Sequence, residues 1–258
     1  MRIAVAGAMG RMGSETVRTV MAAEDMELCG AFDRTEFKGM ECGGGGVVVT
    51  DSVADAVRGA DCLVDFTNAS VSASLIREAI VAGVSCVSGT TGHSAEDLDS
   101  LSALAMERGV RVLVVPNFSI GAVLMMRFAA EASKYFEAAE IIELHHERKL
   151  DSPSGTSVRT LEGMLSNRPS FMECGGPVEV MRNARGAERG GVHVHSVRLP
   201  GLVAHQEVLF GSAGEYLTIR HDSTSRVSFM SGVLMALRNL DRLGPGLSVG
   251  LEKVMGEA

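Results

Sequence analysis

The sequence has no tryptophan and few other aromatic residues. Among its 258 residues are two tyrosines and nine phenylalanines, whereas methionine occurs fifteen times. The core of this protein must therefore be filled mainly by aliphatic and methionine side chains. The composition, 46% hydrophobic and 22% charged, is otherwise that of an ordinary globular protein, and the length allows one large domain or two modest ones.

Cysteine pairs and long hydrophobic runs are missing too. The five cysteines are widely spaced and never form a CxxC pair, which favours reduced thiols over a disulfide framework or a zinc site. No run approaches the roughly 20 apolar residues of a membrane span. The chain also reaches Gly7 too soon for the hydrophobic region of a signal peptide. We therefore expect a soluble, cytoplasmic protein without a metal ion.

The chain also lacks an excess of basic residues. Its formal net charge is −8, whereas a surface that follows nucleic-acid or lipid phosphates needs clustered Lys and Arg. We expect neither a nucleic acid nor a membrane as a partner. A small anionic substrate is still allowed, because a local basic pocket can lie inside an acidic protein.

Short apolar runs alternate with amphipathic segments in the first half of the chain. Segments with helical spacing of apolar residues lie between runs of strand length. The predicted strands are 2–6, 26–32, 61–66, 84–88 and 110–115, and the predicted helices are 12–24, 70–82 and 94–108. This alternation is typical of a parallel sheet covered on both faces. We predict a doubly wound α/β domain over residues 1–117.

The pattern changes near residue 118. A helical stretch at 120–136 is followed by strand-like segments with one helical segment at 154–166 among them. These strands are predicted at 139–146, 192–199, 204–211 and 214–222. They indicate a second, α+β domain with an open mixed sheet over 118–226. The tail, 227–258, is predicted to be helical and to pack back onto the first domain.

A glycine-rich turn follows the first predicted strand. The segment AVAGAMGRMG contains Gly7, Gly10 and Gly13, and an acid, Asp33, ends the second strand 20 residues after Gly13. Glycines let the backbone approach a pyrophosphate, a helix N-terminus binds its charge, and an acid at this place accepts hydrogen bonds from the adenosine ribose. The turn therefore predicts a dinucleotide site. The alternative is a tight turn that needs only positive φ angles.

Cofactor choice is left open by two neighbouring residues. Asp33 repels the 2′-phosphate of NADP, whereas the guanidinium of Arg34 can bind it, so both NADH and NADPH are conceivable. Arg34 can equally be an ordinary surface residue. Three further loops, 66–70, 88–93 and 116–121, fall at the carboxyl ends of predicted strands, where this fold binds ligands.

The segment ELHHERKLDSPSGTS, residues 143–157, contains a second cluster of chemical groups. If it is an extended strand to residue 149, alternation places Glu143, His145 and Lys149 on one face and His146 on the other. The following Ser-Pro-Ser-Gly-Thr turn has helix-start chemistry, with a serine cap, Pro153 in the first turn, and the first amides at Gly155 and Thr156 able to bind a carboxylate. Taken singly, a strand histidine is usually structural and a lysine usually a surface charge.

These segments together resemble the 4-hydroxy-tetrahydrodipicolinate reductase family, also called dihydrodipicolinate reductase. The resemblance covers nearly the whole chain, and the histidine-rich segment is its most specific part. It rests on AGAMGRMG (6–13), SGTTG (88–92), PNFSIG (116–121), ELHHERKLDSPSGT (143–156) and SVRLPGLVAHQEVLFG (196–211). One departure is AHQEV at 204–208, where many members read GEHEV.

The resemblance implies a Rossmann-like domain, a mixed-sheet domain for substrate and tetramer formation, NADH or NADPH as hydride donor, and a cyclic dicarboxylate substrate. By motif, His145 matches the proton donor, Lys149 the second catalytic residue, His146 a substrate contact, and Gly155 and Thr156 the carboxylate site. The implied cofactor residues are Gly7, Ala8, Met9, Gly10, Arg11, Met12, Asp33, Arg34, Gly89, Thr90, Thr91, Val115, Pro116, Asn117 and Phe118.

Two other functions compete with this reading. One is an amino-acid or inositol dehydrogenase of the same fold, which would oxidise an alcohol or amine with NAD. The other is a dinucleotide sensor without catalysis, which would need no acid and base close to the cofactor.

Overall fold

The computed structural model describes residues 1–175 and 178–256, which form two compact units. Unit 1 comprises Met1–Phe118 and the described part of Arg226–Ala258, and unit 2 comprises Ser119–Ser225. Residues 257 and 258 of the predicted helical tail lie outside the described residues. Within the described ranges, no helix has the length and hydrophobicity needed to cross a membrane.

The described residues form thirteen β-strands and seven α-helices. The strands are β1 Arg2–Ala6, β2 Glu27–Phe32, β3 Glu41–Cys42, β4 Val47–Thr50, β5 Cys62–Asp65, β6 Ser85–Ser88, β7 Arg111–Val114, β8 Ala138–His145, β9 Ala187–Arg189, β10 Val192–Arg198, β11 Ala204–Ser212, β12 Glu215–Ser223 and β13 Gly246–Val249. The helices are α1 Arg11–Ala22, α2 Val53–Ala56, α3 Ala69–Val81, α4 Ala95–Arg108, α5 Ile120–Ala132, α6 Gly155–Asn167 and α7 Met230–Arg238.

Unit 1 is built on an eight-stranded sheet in the order β13-β7-β6-β5-β1-β2-β4-β3. Neighbouring strands are parallel except for β3 and β4. The strand order reverses between β1 and β5, and in such sheets ligands bind at the carboxyl ends of the strands near this point. All four residues of β5 are buried, as expected for a strand covered on both faces. The predicted doubly wound fold is confirmed.

The tail of unit 1 differs from the prediction of a purely helical segment. Helix α7 is followed by strand β13, which pairs in parallel with β7 and extends the sheet. Leu247 and Val249 of β13 pack against the core cluster of unit 1. The segment GLSV is too short to show a strand period by itself, and a sheet edge that accepts its hydrogen bonds decides its structure.

Unit 2 contains a five-stranded mixed sheet in the order β12-β11-β8-β10-β9. Strand β8 is central, parallel to β10 and antiparallel to β11. Helices α5 and α6 contribute Ala129, Leu161 and Met164 to a core that also contains Ile141 and Val208 from the sheet. The predicted open mixed sheet is confirmed.

The face of β8 that meets this core changes from apolar to polar along the strand. Ala139 and Ile141 are buried in the core, Glu143 is fully buried, and His145 is partly buried at the strand end. Gln206 and Ser196 pair with Glu143 in the register of the sheet, and Arg198 pairs with His145. The sheet therefore places Glu143, His145 and Arg198 together at one end of this core.

The packing of α7 allows a direct test of the tail. A Cβ atom on Gly232 would lie 1.9 Å from the backbone oxygen of Phe118, so Gly232→Ala requires the backbone to move. Overpacking of this kind costs about 1–3 kcal/mol, more than the roughly 1 kcal/mol by which alanine favours a helix over glycine. We expect the melting temperature to fall.

The matched control is Gly244→Ala, because no atom lies within 4 Å of a Cβ built there. Thermal unfolding of both variants followed by circular dichroism checks this prediction. Equal melting temperatures for Gly232→Ala and the wild type would show that α7 is not closely packed against Phe118.

Candidate active site

The glycine-rich turn after β1 is required by close packing. Gly7 has a φ of +74°, and a Cβ atom on it would lie 2.6 Å from the backbone oxygen of Phe66. A Cβ atom on Gly13 would lie 1.9 Å from the backbone oxygen of Gly7. Gly7 thus permits the turn at the end of β1, and Gly13 lets α1 pack against it.

The N-terminus of α1 is suited to an anion. The N-cap of α1 is Gly10, which has no side chain to occupy the helix amides. The first turn of this described helix also contains no acidic residue. The first amides of a helix have no carbonyl partner within it and bind phosphate groups readily. Arg11 and Met12 occupy these positions.

Asp33 is buried at the end of β2 and holds the glycine-rich turn. Its Oδ2 accepts a hydrogen bond from the backbone amide of Met9 at 2.7 Å, and its Oδ1 accepts one from the amide of Arg34 at 2.8 Å. An ionised carboxylate can accept about four hydrogen bonds, so Asp33 retains capacity for the hydroxyls of a ribose. Met9, which together with Ala8 replaces the middle glycine of the usual G-x-G-x-x-G motif, contributes through its backbone.

Arg34 lies at the surface and already has partners. Its Nη2 lies 2.8 Å from Oε1 of Glu36, and its guanidinium carbon lies 5.1 Å from the centre of the Phe37 ring. The side chain is 72% exposed. A 2′-phosphate that bound Arg34 would therefore have to compete with Glu36.

Asp65 connects two of the predicted cofactor loops. This fully buried carboxylate accepts hydrogen bonds from the amide and hydroxyl of Thr67 at 2.9 and 2.6 Å, from the hydroxyl of Ser88 at 2.6 Å, and from the hydroxyl of Ser72. The hydroxyl of Ser72 also lies 2.9 Å from Nε2 of His93. Because Ser72 donates its proton to Asp65, the Nε2–H of His93 donates to Ser72. Asp65 was not among the site residues predicted from the sequence, although an acid at the end of an apolar strand could have indicated it.

The loop after β6 offers an unsatisfied hydroxyl. Oγ1 of Thr90 is buried and has no hydrogen-bond partner among the described residues, which is expected of a group that awaits a ligand. A Cβ atom on Gly89 would lie 2.3 Å from the ring of Phe66. Thr91 is exposed in the same loop. These features, with those of the glycine-rich turn, fit a dinucleotide cofactor.

The segment after β7 completes the carboxyl edge of this sheet. The amide of Val115 donates to the backbone oxygen of Ser88 at 2.7 Å, and the Phe118 ring packs against Phe66 with 5.4 Å between ring centres. Val115 and Phe118 are buried, whereas Pro116 and Asn117 are partly exposed. The segment is thereby fixed next to the loops at 66–70 and 88–93.

Glu143 is the centre of the polar cluster in unit 2. Its carboxylate accepts hydrogen bonds from Nδ1 of His145, from Nη1 and Nη2 of Arg198 at 2.9 and 2.7 Å, and from the amide of Ser154 at 3.3 Å. Burial raises the pKa of this carboxyl group, but hydrogen bonds from His145, Arg198 and Ser196 outweigh burial and lower the pKa from 4.5 to about 2. Glu143 is therefore ionised at neutral pH. Neither Glu143 nor Arg198 was a predicted site residue.

The chain turns directly after His145, which corrects the expected extension of β8 to residue 149. The strand ends at His145, and the amide of Lys149 donates to the backbone oxygen of His146 at 3.1 Å, closing a turn. Strand alternation therefore does not place Lys149. Its ammonium instead lies 2.7 and 2.9 Å from the two carboxylate oxygens of Asp151, and this contact lowers the pKa of Asp151.

His146 differs from its neighbour in its surroundings. Its ring is partly buried, and Nδ1 has no hydrogen-bond partner in the described part of the chain. His145, by contrast, lies on the same face as Glu143, as alternation predicted. The two adjacent histidines therefore differ at Nδ1, which contacts Glu143 in His145 and has no partner among the described residues in His146.

The helix start also differs in detail from the prediction. Ser154 is the N-cap of α6, and its hydroxyl accepts from the amide of Ser157 at 3.2 Å. Pro153 follows a cis peptide bond and lies before the helix, not in its first turn. Gly155 and Thr156 are the first two residues of α6, as predicted, and Gly155 is exposed.

His205, which lies in the segment that departs from the family pattern, has two partners. Its Nδ1 lies 2.7 Å from Oδ1 of Asp222, and its Nε2 accepts from the amide of Val203 at 3.3 Å. Because Nε2 accepts, the ring proton lies on Nδ1 and is donated to Asp222. Nδ1 thus joins β11 to its neighbour β12, and Nε2 binds the residue directly before β11.

Comparisons with known proteins agree with this arrangement. Family models described as the N-terminus and the C-terminus of dihydrodipicolinate reductase match residues 1–118 and 121–255. A 4-hydroxy-tetrahydrodipicolinate reductase of Listeria welshimeri is 46% identical, and the alignment covers 99% of this chain and 100% of that protein. One from Moorella thermoacetica is also 46% identical, over 98% of this chain and 97% of that protein.

Solved structures give the same result. A dipicolinate-bound dihydrodipicolinate reductase from Paenisporosarcina sp. TG-14 aligns with a TM-score of 0.89 and 39% identity over 99% of each chain. An amine dehydrogenase from Mycobacterium smegmatis aligns with a TM-score of 0.67 at 14% identity, over 96% of this chain and 94% of that one, which shows a shared fold only. The resemblance stated from the sequence is confirmed, and the chain belongs to the dihydrodipicolinate reductase family.

Proposed function

We propose that this oxidoreductase converts 4-hydroxy-tetrahydrodipicolinate to tetrahydrodipicolinate, with loss of water, in the diaminopimelate route to lysine. Relatives of this name match the chain over its full length. The structural observation that carries the proposal is the contact between Glu143 and Nδ1 of His145. It leaves Nε2 as the nitrogen of His145 that can give a proton to a substrate.

The cofactor is a nicotinamide dinucleotide held by unit 1. When bound in its reduced form, it supplies the hydride that reduces an electron-poor ring carbon of the dehydrated substrate. The amides of Arg11 and Met12 would bind the pyrophosphate, and Asp33 would accept hydrogen bonds from the adenosine ribose. Small and hydroxylated residues of the other loops would contact the remainder of the cofactor; these are Gly89, Thr90, Thr91, Val115, Pro116, Asn117 and Phe118.

His145 is the proposed proton donor. After hydride addition, the neighbouring carbon of the ring carries developing carbanion or enamine character and needs a proton. The ionised carboxylate of Glu143 accepts hydrogen bonds only, so the proton on Nδ1 stays and the proton on Nε2 is transferred. The neutral ring that remains then recovers a proton from solvent.

The carboxylates of a cyclic dicarboxylate substrate need positive charge and amide donors. Lys149 supplies an ammonium, and the amides at the start of α6, Gly155 and Thr156, supply donors together with the favourable helix dipole. Nδ1 of His146 is a further donor or acceptor. The dipicolinate named in the Paenisporosarcina structure is a cyclic dicarboxylate, which supports this class of substrate.

One assay separates this function from its two rivals. The protein is incubated with NADPH or NADH and freshly generated 4-hydroxy-tetrahydrodipicolinate, and separately with NAD and a panel of amino acids and polyols. We expect oxidation of the reduced cofactor only with the dicarboxylate. Turnover of the panel would support a dehydrogenase, and cofactor binding without any turnover would support a sensor.

We also propose that the protein is a homotetramer in the cytoplasm. The homotetramer is what the family implies. The cysteines in the described residues are free thiols, which favours a reducing compartment such as the cytoplasm.

The first prediction from the proposed function concerns the proton donor. We expect His145→Gln to lower kcat by roughly 10²–10⁴-fold, the usual effect of losing a general acid, with unchanged cofactor binding. His146→Gln is the matched variant and should lose less, because His146 lacks the contact with Glu143. Steady-state kinetics and a cofactor titration measure both effects, and the reverse ranking of the two variants would assign the proton to His146.

The second prediction concerns Lys149. We expect Lys149→Ala to raise the KM for substrate and to lower kcat, because one ammonium binds the ground-state carboxylate and stabilises charge that develops later. Arg148→Ala is the control, because Arg148 is 86% exposed. If steady-state kinetics give Lys149→Ala the wild-type KM, Lys149 does not bind the carboxylate.

The third prediction concerns cofactor choice. We expect the wild type to use both cofactors, and Arg34→Ala to weaken NADPH binding by about 1.5–3 kcal/mol more than NADH binding, the range for a hydrogen bond to a charged group. Glu36→Gln should act in the opposite direction, because it removes the competitor of the phosphate. High salt should narrow the difference.

Arg58→Ala is the control for Arg34, since Arg58 is also an exposed arginine paired with an acid of unit 1. Dissociation constants of both cofactors for each variant measure the effect. Equal shifts for NADH and NADPH in Arg34→Ala would show that Arg34 does not bind the 2′-phosphate.

A further inference from the structure

The buried carboxylate of Glu143 lies between the imidazole of His145 and the first turn of α6. We propose that Glu143 is a positioning residue that keeps one proton on Nδ1 of His145, so that Nε2 is the only nitrogen from which the reaction draws its proton. This inference rests on the proposed role of His145 and adds a residue to it.

The donors to Glu143 occupy its full acceptor capacity. A carboxylate accepts about four hydrogen bonds, and Glu143 receives at least that many, among them those from Nδ1 of His145, both terminal nitrogens of Arg198 and the amide of Ser154. The side chain has no exposed surface. These donors therefore fix the position of the carboxylate, and the carboxylate fixes the position of the imidazole bound to it.

The charge state of Glu143 determines the direction of the hydrogen bond to His145. An ionised carboxylate has no proton to donate, and hydrogen bonds keep this group ionised far below neutral pH. The shared proton must therefore reside on Nδ1. In the neutral ring Nε2 then carries only a lone pair, and in the protonated ring Nε2 carries the proton that leaves.

Arg198 weakens the electrostatic effect of the Glu143 carboxylate on His145. Its guanidinium forms a bidentate pair with the carboxylate, so the two charges nearly cancel at the imidazole. We infer that Glu143 acts mainly by fixing the tautomer and the orientation of His145, with a smaller stabilising effect on the imidazolium. Replacing Glu143 and replacing Arg198 should then move the pH at which His145 loses its proton in opposite directions.

The same carboxylate holds the start of the substrate helix. Its Oε1 accepts from the amide of Ser154, the cap residue directly before Gly155 and Thr156. The hydroxyl of Ser157 lies 2.8 Å from that of Ser154 and donates to Oε1 of Gln206 at 2.7 Å. One buried carboxylate thus contacts both the proposed proton donor and the residue directly before the proposed carboxylate site.

The test begins with the wild type. ¹⁵N NMR of full-length protein labelled in histidine, with the His145 signals assigned by their loss in His145→Gln, identifies which ring nitrogen carries the proton in the neutral form. We expect the proton on Nδ1. A proton on Nε2 would overturn the proposal without any variant of Glu143 being made.

Variants of the pair give the second measurement. We expect Glu143→Gln to lower kcat about 10- to 100-fold, the range found for outer groups that orient metal-bound histidines. The alkaline limb of its kcat profile, where the general acid loses its proton, should move to lower pH. Arg198→Gln should move that limb to higher pH, because the carboxylate is then unbalanced. Shifts in the same direction, or none, would contradict the inference, since general structural damage would not separate them.

The outcomes distinguish this inference from the proposed function. If His145→Gln retains the wild-type kcat, His145 is not the proton donor, yet the NMR measurement still reports whether Glu143 fixes its tautomer. If His145→Gln is inactive but Glu143→Gln keeps the wild-type tautomer and kcat, the proposed function stands and the role of Glu143 is wrong.

Discussion

The need to satisfy one buried carboxylate determines the arrangement of the polar groups in unit 2. Removing an ion from water costs several kcal/mol, which only close partners offset. The partners of Glu143 come from the end of β8, from β10 and from the residue before α6. These three elements must therefore meet at one place for the unit to fold. Loss of either charge would leave the other buried and unpaired, at a cost of about 3–5 kcal/mol.

Unit 1 also has buried acids at the ends of strands, but the hydrogen bonds described for them come from hydroxyls and backbone amides. Asp65 is fully buried and is satisfied by the hydroxyls of Thr67, Ser72 and Ser88 and by one amide. Asp33 accepts hydrogen bonds from two backbone amides. Hydrogen bonds of this kind fix loops without a cationic side chain, whereas Glu143 is also paired with the guanidinium of Arg198.

The sequence predicted those features that depend on local pattern and missed those that depend on register. Apolar periodicity identified most strands, and the spacing from Gly13 to Asp33 located the dinucleotide turn. Alternation placed Glu143 and His145 on one face. The turn after His145 could not be foreseen, because it is closed by a backbone bond that leaves no side-chain pattern. Arg198 is 53 residues from His145 in the printed sequence and reaches it only through the pairing of β10 with β8.

The claim that Glu143 acts through His145 is tested most directly by a double-mutant cycle on kcat, with Glu143→Gln and His145→Gln made separately and together. The account predicts that once His145 is replaced, Glu143→Gln lowers kcat no further, because it has no imidazole left to orient. A double variant whose loss in kcat is the product of the two single losses would contradict the account, since Glu143 would then act on the reaction independently of His145.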